Sequence, residues 1–83
     1  MNYVSQTEED LATNLIALQP LFLEARSTPS GLITLLNDAL PIAIENEIEF
    51  GLFTNTILTY LSRGYAQAHI VEKLSRQFTK KTQ

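Results

Sequence analysis

A chain of 83 residues, 45% apolar and 18% charged, can fill one hydrophobic core but not two, so a second domain is excluded. It has no cysteine, which removes disulfides, thiolate metal sites and a cysteine nucleophile and leaves apolar packing to hold the fold, at a stability on the order of 4 to 12 kcal/mol. Nine acidic against six basic residues leave a net charge of −3, which draws in no polyanion, and with no run of eighteen apolar residues and no signal-like leader the expectation is one cytoplasmic domain without a membrane span.

That domain covers residues 1–83, with 1–5 and 80–83 expected to fray. Ser5-Gln6-Thr7-Glu8 has the form of a capping box and is followed by acidic residues where a helix N-terminus favours them, so a helix is predicted to start near residue 6 or 7. Leu11, Leu15, Leu18 and Phe22 recur at helical spacing, and Ile16 and Leu23 are expected to widen the stripe. Pro20 falls within it and predicts a kink or a short break.

Ser27-Thr28-Pro29-Ser30-Gly31 collects turn and capping residues and reads as the clearest loop. A second helix follows, with apolar positions Leu32, Ile33, Leu35, Leu36, Ala39, Leu40, Ala43 and Ile44 and with Pro41 inside it. Pro20 to Glu24 and Pro41 to Glu45 share the pattern of proline, three apolar residues and glutamate; two similar bent helices are the simpler reading, duplication the other. Residues 42 to 48 alternate in a strand-like way, the one such stretch in the chain.

Gly51 marks a helix boundary or a close backbone approach. Leu52, Phe53, Ile57, Leu58 and Leu61 then form a third stripe, which Gly64 ends from the left-handed position just past a helix. The last helix places Ile70, Val71, Leu74 and Phe78 on one face and Gln67, Glu72, Arg76 and Lys80 outside, running to about Thr79. The predicted fold is therefore all-α, a small antiparallel bundle of four to five helices, two of them bent or broken at proline.

Residues that could carry chemistry are few. His69 is the only histidine, and with Glu72 and Lys73 three and four residues on it reads as a surface residue of the last helix; no second histidine completes a metal site, so neither metal nor cofactor is expected. Glu45, Glu47 and Glu49 form an acidic group in which Glu45 and Glu49 are expected to share a helix face, either as a solvated rim or as an edge that meets a basic partner. Lys73, Arg76, Lys80 and Lys81 concentrate positive charge near the C-terminus, where it complements a helix dipole. Gly64-Tyr65 and the following Ile70 and Leu74 also suit the first helix of a helix-turn-helix, but too little chain remains for a recognition helix, and DNA binding is disfavoured.

Leu58 and Leu61 ahead of Gly64, with Ile70, Val71 and Leu74 beyond it, make residues 52–78 resemble the C-terminal helical hairpin of pediocin-type (enterocin A-like) bacteriocin immunity proteins. Ile48-Glu49-Phe50-Gly51-Leu52 is similar to an acidic Glu-x-Gly-Leu stretch of another small group of toxin-immunity proteins. The pediocin-type family is often basic, whereas this chain is acidic. The resemblance implies a non-catalytic protein that protects its producer by binding a toxin or the toxin's receptor complex.

The expected function is thus a non-enzymatic protein-binding module, with an immunity or antitoxin role as its most specific form. Its partner would be a toxin, a receptor or a regulatory protein, and the expected contact residues are Tyr60, Tyr65, Glu45, Glu47, Glu49 and Phe50. The alternatives are a self-associating scaffold or regulator, in effect a homodimer, and a nucleic-acid regulator that uses the basic C-terminal helix.

Overall fold

A computed structural model of the chain describes residues 8–79, and among these it is all-α, with five helices and no strand. The helices are α1 (Glu8–Ile16), α2 (Gln19–Ser27), α3 (Pro29–Glu45), α4 (Phe50–Ser62) and α5 (Gln67–Phe78). Residues 5–7 of the capping box and the predicted frayed ends lie outside the described residues. The strand-like stretch is split: residues 42–45 close α3, and 46–49 turn into α4.

Leu11, Leu15, Leu18 and Phe22 are all essentially inaccessible to solvent, as their spacing requires. The run is broken at residues 17 and 18, and Pro20 stands in the first turn of α2. Having no N–H, Pro20 cannot bond the Ile16 carbonyl, so the chain tightens instead: the Leu18 N–H donates to the Leu15 carbonyl at 2.9 Å, and the Leu21 and Phe22 N–H groups both donate to the Leu18 carbonyl. Ile16 and Leu23 do not widen the stripe; each follows a buried residue by about 100° of helix rotation and stands exposed.

The joint between α2 and α3 corrects a second expectation. Only Thr28 is non-helical; Pro29, Ser30 and Gly31 already form the first turn of α3, so the five-residue loop shrinks to one residue. Thr28 ends α2 through its N–H, which donates to the Glu24 carbonyl, and caps α3 through its Oγ1, which accepts from the Gly31 N–H at 2.9 Å. Gly31 is buried because α2 passes directly over it: a β-carbon there would sit 2.5 Å from the Glu24 carbonyl oxygen. α3 runs through Pro41 without interruption, although the missing N–H removes the helical bond to the Asn37 carbonyl, so the two prolines occupy unlike places: Pro20 stands in a first turn and Pro41 inside a helix.

Two helix ends share one geometry. At the end of α4, Gly64 has φ +79°, its N–H donates to the Leu61 carbonyl at 3.0 Å and that of Tyr65 to the Tyr60 carbonyl at 3.3 Å. This crossed pair satisfies two of the carbonyls that every helix end leaves over. At the end of α3, the Glu47 N–H bonds the Ile44 carbonyl and the Ile48 N–H the Ala43 carbonyl in the same pattern, but here the left-handed residue is a glutamate with φ +57°.

One apolar core joins all five helices. Leu11, Leu15, Leu18 and Phe22 meet Leu35, Ala39 and Ala43 of α3, Phe53 and Ile57 of α4, and Ile70, Val71 and Leu74 of α5, and the Phe78 ring stands edge-on against Phe53 at 5.4 Å. α2 packs most closely on α3, and α5 is covered by α1, α2 and α4, while α3 lies chiefly against α2 and α4. Gly31→Ala sets two effects against each other: alanine favours a helix by about 1 kcal/mol, but the backbone contact behind residue 31 leaves its methyl no room. The clash should win, and chemical denaturation is expected to show a net loss of about 1–3 kcal/mol.

Candidate functional site

The turn after α4 gathers the first group of sequence-predicted residues. Tyr65 follows Gly64, and the crossed hydrogen bonds bring it back over Tyr60, with ring centroids 5.5 Å apart. The Tyr60 hydroxyl donates to Gln77 Oε1 at 2.8 Å, which fixes the ring from α5. His69, one turn into α5, stands edge-on to Tyr65 at 4.9 Å, and the Lys73 ammonium lies 5.6 Å and 5.8 Å from the centroids of Tyr60 and Tyr65. An Arg26 guanidinium N–H donates to the Tyr65 carbonyl, tying α2 to the same turn. The result is an aromatic corner in which two half-buried tyrosines are held by backbone, amide and cation at once.

Glu45, Glu47, Glu49 and Phe50 lie elsewhere, at the α3–α4 turn. Phe50 and Tyr60 stand at opposite ends of α4, about 15 Å apart along its axis, so the six predicted contact residues divide into two groups. Glu45 and Glu49 do not share a helix face, because α3 ends at Glu45 and Glu49 precedes α4. Each acid is placed by the turn: Glu45 closes α3, Glu47 takes the left-handed position, and Glu49 caps α4, its carboxylate accepting from the Gly51 N–H at 3.1 Å and the Leu52 N–H at 2.7 Å. All three are exposed.

A third surface was not singled out by the sequence. The apolar residues of α3 divide between two sides: Leu35, Ala39 and Ala43 are buried, whereas Ile33, Leu40 and Ile44 are 60%, 41% and 69% exposed. Leu52, expected in the α4 stripe, is exposed as well. A helix whose apolar residues span more than the usual arc of about 100° was the available signal.

Groups able to perform chemistry are dispersed. Among the described residues no three His, Asp or Glu side chains come close enough to hold a metal ion, and no helix is long and apolar enough to cross a membrane. Two open depressions flank the α2–α3 joint, of about 430 Å³ beside Leu23, Glu24, Ser27 and Thr28 and of about 310 Å³ beside Ala25, Arg26 and Pro29. Their hydroxyl groups face carbonyls one turn back: Ser27 donates to Leu23 and Thr28 to Glu24, and no histidine lines either depression. The hydroxyls of Thr54, Thr56 and Thr59 are likewise bonded within α4. Of the basic cluster, Lys73 lies over the tyrosines and Arg76 pairs with Glu72 at 3.0 Å, while Lys80 and Lys81 fall outside the described residues. Comparison of the chain with protein-family models, with curated proteins and with solved structures found no match.

The turn acids differ in what their removal should do. Glu47→Gly relieves a left-handed side chain and should stabilise the fold by about 0.5–1 kcal/mol, visible as a higher melting temperature. Glu49→Ala removes a cap from two N–H groups and should cost about 1 kcal/mol in the same measurement.

Proposed function

We propose that this chain is a non-enzymatic protein-binding module of the immunity or antitoxin kind, which neutralises a toxin by binding it or its receptor. The observation that carries the reading is the aromatic corner: Tyr60 and Tyr65, with Lys73 across both rings, form a partly exposed surface that is already ordered before any partner arrives. Tyrosine combines a large apolar area with a polar tip and loses little freedom when it starts out fixed, which is why such residues dominate interface energies. The resemblance of residues 52–78 to immunity proteins covers this same corner. The acidic turn at Glu45, Glu47 and Glu49, with Phe50 beside it, supplies a second contact region that suits a basic partner. A nucleic-acid role has less support, because Lys73 and Arg76 are each engaged within the chain.

The test compares variants for retention of a host protein on the immobilised chain. Tyr65→Ala should weaken binding about 30-fold, the loss of a residue central to an interface, while its circular dichroism stays native. Because Tyr65 also packs on the α4 end, Lys73→Ala examines the same corner without touching that turn, and about a tenfold loss is expected. Undiminished retention by both folded variants rules out the corner as the binding surface.

A further inference from the structure

Acids outnumber bases in this chain, yet most of the described cations are not paired with one. Arg76 is bonded to Glu72, whereas Arg26, Arg63 and Lys73 form no ion pair among the described residues. All three belong to the aromatic corner. Lys73 lies against both tyrosine rings, Arg26 donates to the Tyr65 carbonyl, and Arg63 caps α4 two residues before Tyr65, within about 7 Å of it along the backbone. Arg26 and Arg63 are exposed and Lys73 is half-buried. These contacts place the cations without neutralising them: a ring face attracts an ammonium and leaves its charge, and a guanidinium that gives one N–H to a carbonyl keeps others with which to grip a carboxylate.

The acids stand apart from this group. None lies within six residues of Tyr65 in sequence. Glu24, the nearest to Arg26, is turned about 200° from it round α2, and Glu72 is taken by Arg76. The acidic turn is at the far end of α4, about 15 Å along the axis, or close to two Debye lengths at physiological salt, so its field is largely screened at the corner.

Charge complementarity sets the sign of what binds there, and the extent of the patch sets its kind. An extended polyanion, whether nucleic acid or an anionic membrane, would run past three cations onto a chain of net charge −3. The faces that Tyr60 and Tyr65 turn to each other and to Lys73 are also closed to a stacking base. A short acidic segment of a protein meets the cations and extends no further.

We infer that the corner binds an acidic segment of a partner protein. Its carboxylates meet Lys73, Arg63 and Arg26, and an apolar side chain beside them enters the open depression that Arg26 lines together with Ala25, Pro29 and Leu32. This rests on the corner being the binding surface, as proposed above, and adds the charge of the partner that fits it.

Amide NMR spectra of the full chain test it, by titration at about 20 mM salt with the peptide acetyl-Glu-Glu-Leu-Glu-Glu-amide and with its uncharged counterpart of equal size, acetyl-Gln-Gln-Leu-Gln-Gln-amide. The acidic peptide should shift Tyr65, His69 and Lys73 with a dissociation constant on the order of 0.1–1 mM, and about 300 mM salt should weaken it at least about fivefold. The glutamine peptide should shift none of them. Lys73→Gln and Arg63→Gln should each bind the acidic peptide about threefold to fivefold more weakly with the helical spectrum unchanged, whereas Lys73→Arg should bind as the wild type does. Equal binding of both peptides at these residues overturns the acidic preference and leaves the corner a binding surface. Shifts gathered elsewhere, or none with either peptide, overturn the inference whether or not the corner retains a host protein. Undiminished binding by both glutamine variants overturns it as well, and so does tighter binding of an oligothymidylate.

Discussion

The close approach of α3 to α2 at Gly31 is the constraint on which the rest of the arrangement depends. A one-residue joint leaves the chain no room to separate the two helices, and the absent β-carbon lets the first turn of α3 press on the Glu24 carbonyl. Once α3 is committed to α2 and α4, the surface of α5 is left to α1, α2 and α4. Among the described residues no helix then covers the side of α3 that holds Ile33, Leu40 and Ile44, and these remain exposed. Burying a large aliphatic side chain contributes about 1.5–3 kcal/mol, so leaving three outside forgoes several kcal/mol that this small fold could have used.

The connections do more than join helices. Both left-handed ends, at Glu47 and Gly64, reverse the chain within a few residues and return the next side chain, Ile48 or Tyr65, toward the helix just left. At Gly64 the returned residue is a tyrosine, and this is why two rings that are five residues apart in sequence meet, tilted by 30°, as a surface feature. At Glu47 the same geometry is held by a residue that prefers to avoid it, followed two residues on by Glu49, which caps the next helix. The geometry of this turn therefore sets the places of Glu47 and Glu49.

Two exposed surfaces differ in physical character. The corner at Tyr60 and Tyr65 is small, polar at its tips and held by hydrogen bonds from α2 and α5, features suited to orientation and specificity. The exposed side of α3, by contrast, is apolar and uncharged at Ile33, Leu40 and Ile44.

Composition and periodicity were enough to establish the all-α class, the buried run Leu11, Leu15, Leu18 and Phe22, the face of α5 and the left-handed role of Gly64, because each follows from interactions within one or two turns of chain. The meeting of Tyr60 with Tyr65 was partly legible, as both were named, though the ring contact was not. The tertiary structure alone decided which apolar residues of α3 face inward, since a helix apolar on two sides does not record which side a neighbour will cover. It likewise decided that Gly31 lies beneath a backbone rather than in a loop, that Glu45 and Glu49 belong to different helices, and that Ile16, Leu23 and Leu52 stay exposed. Each of these depends on where a distant segment comes to rest, and spacing along the chain carries no record of that position.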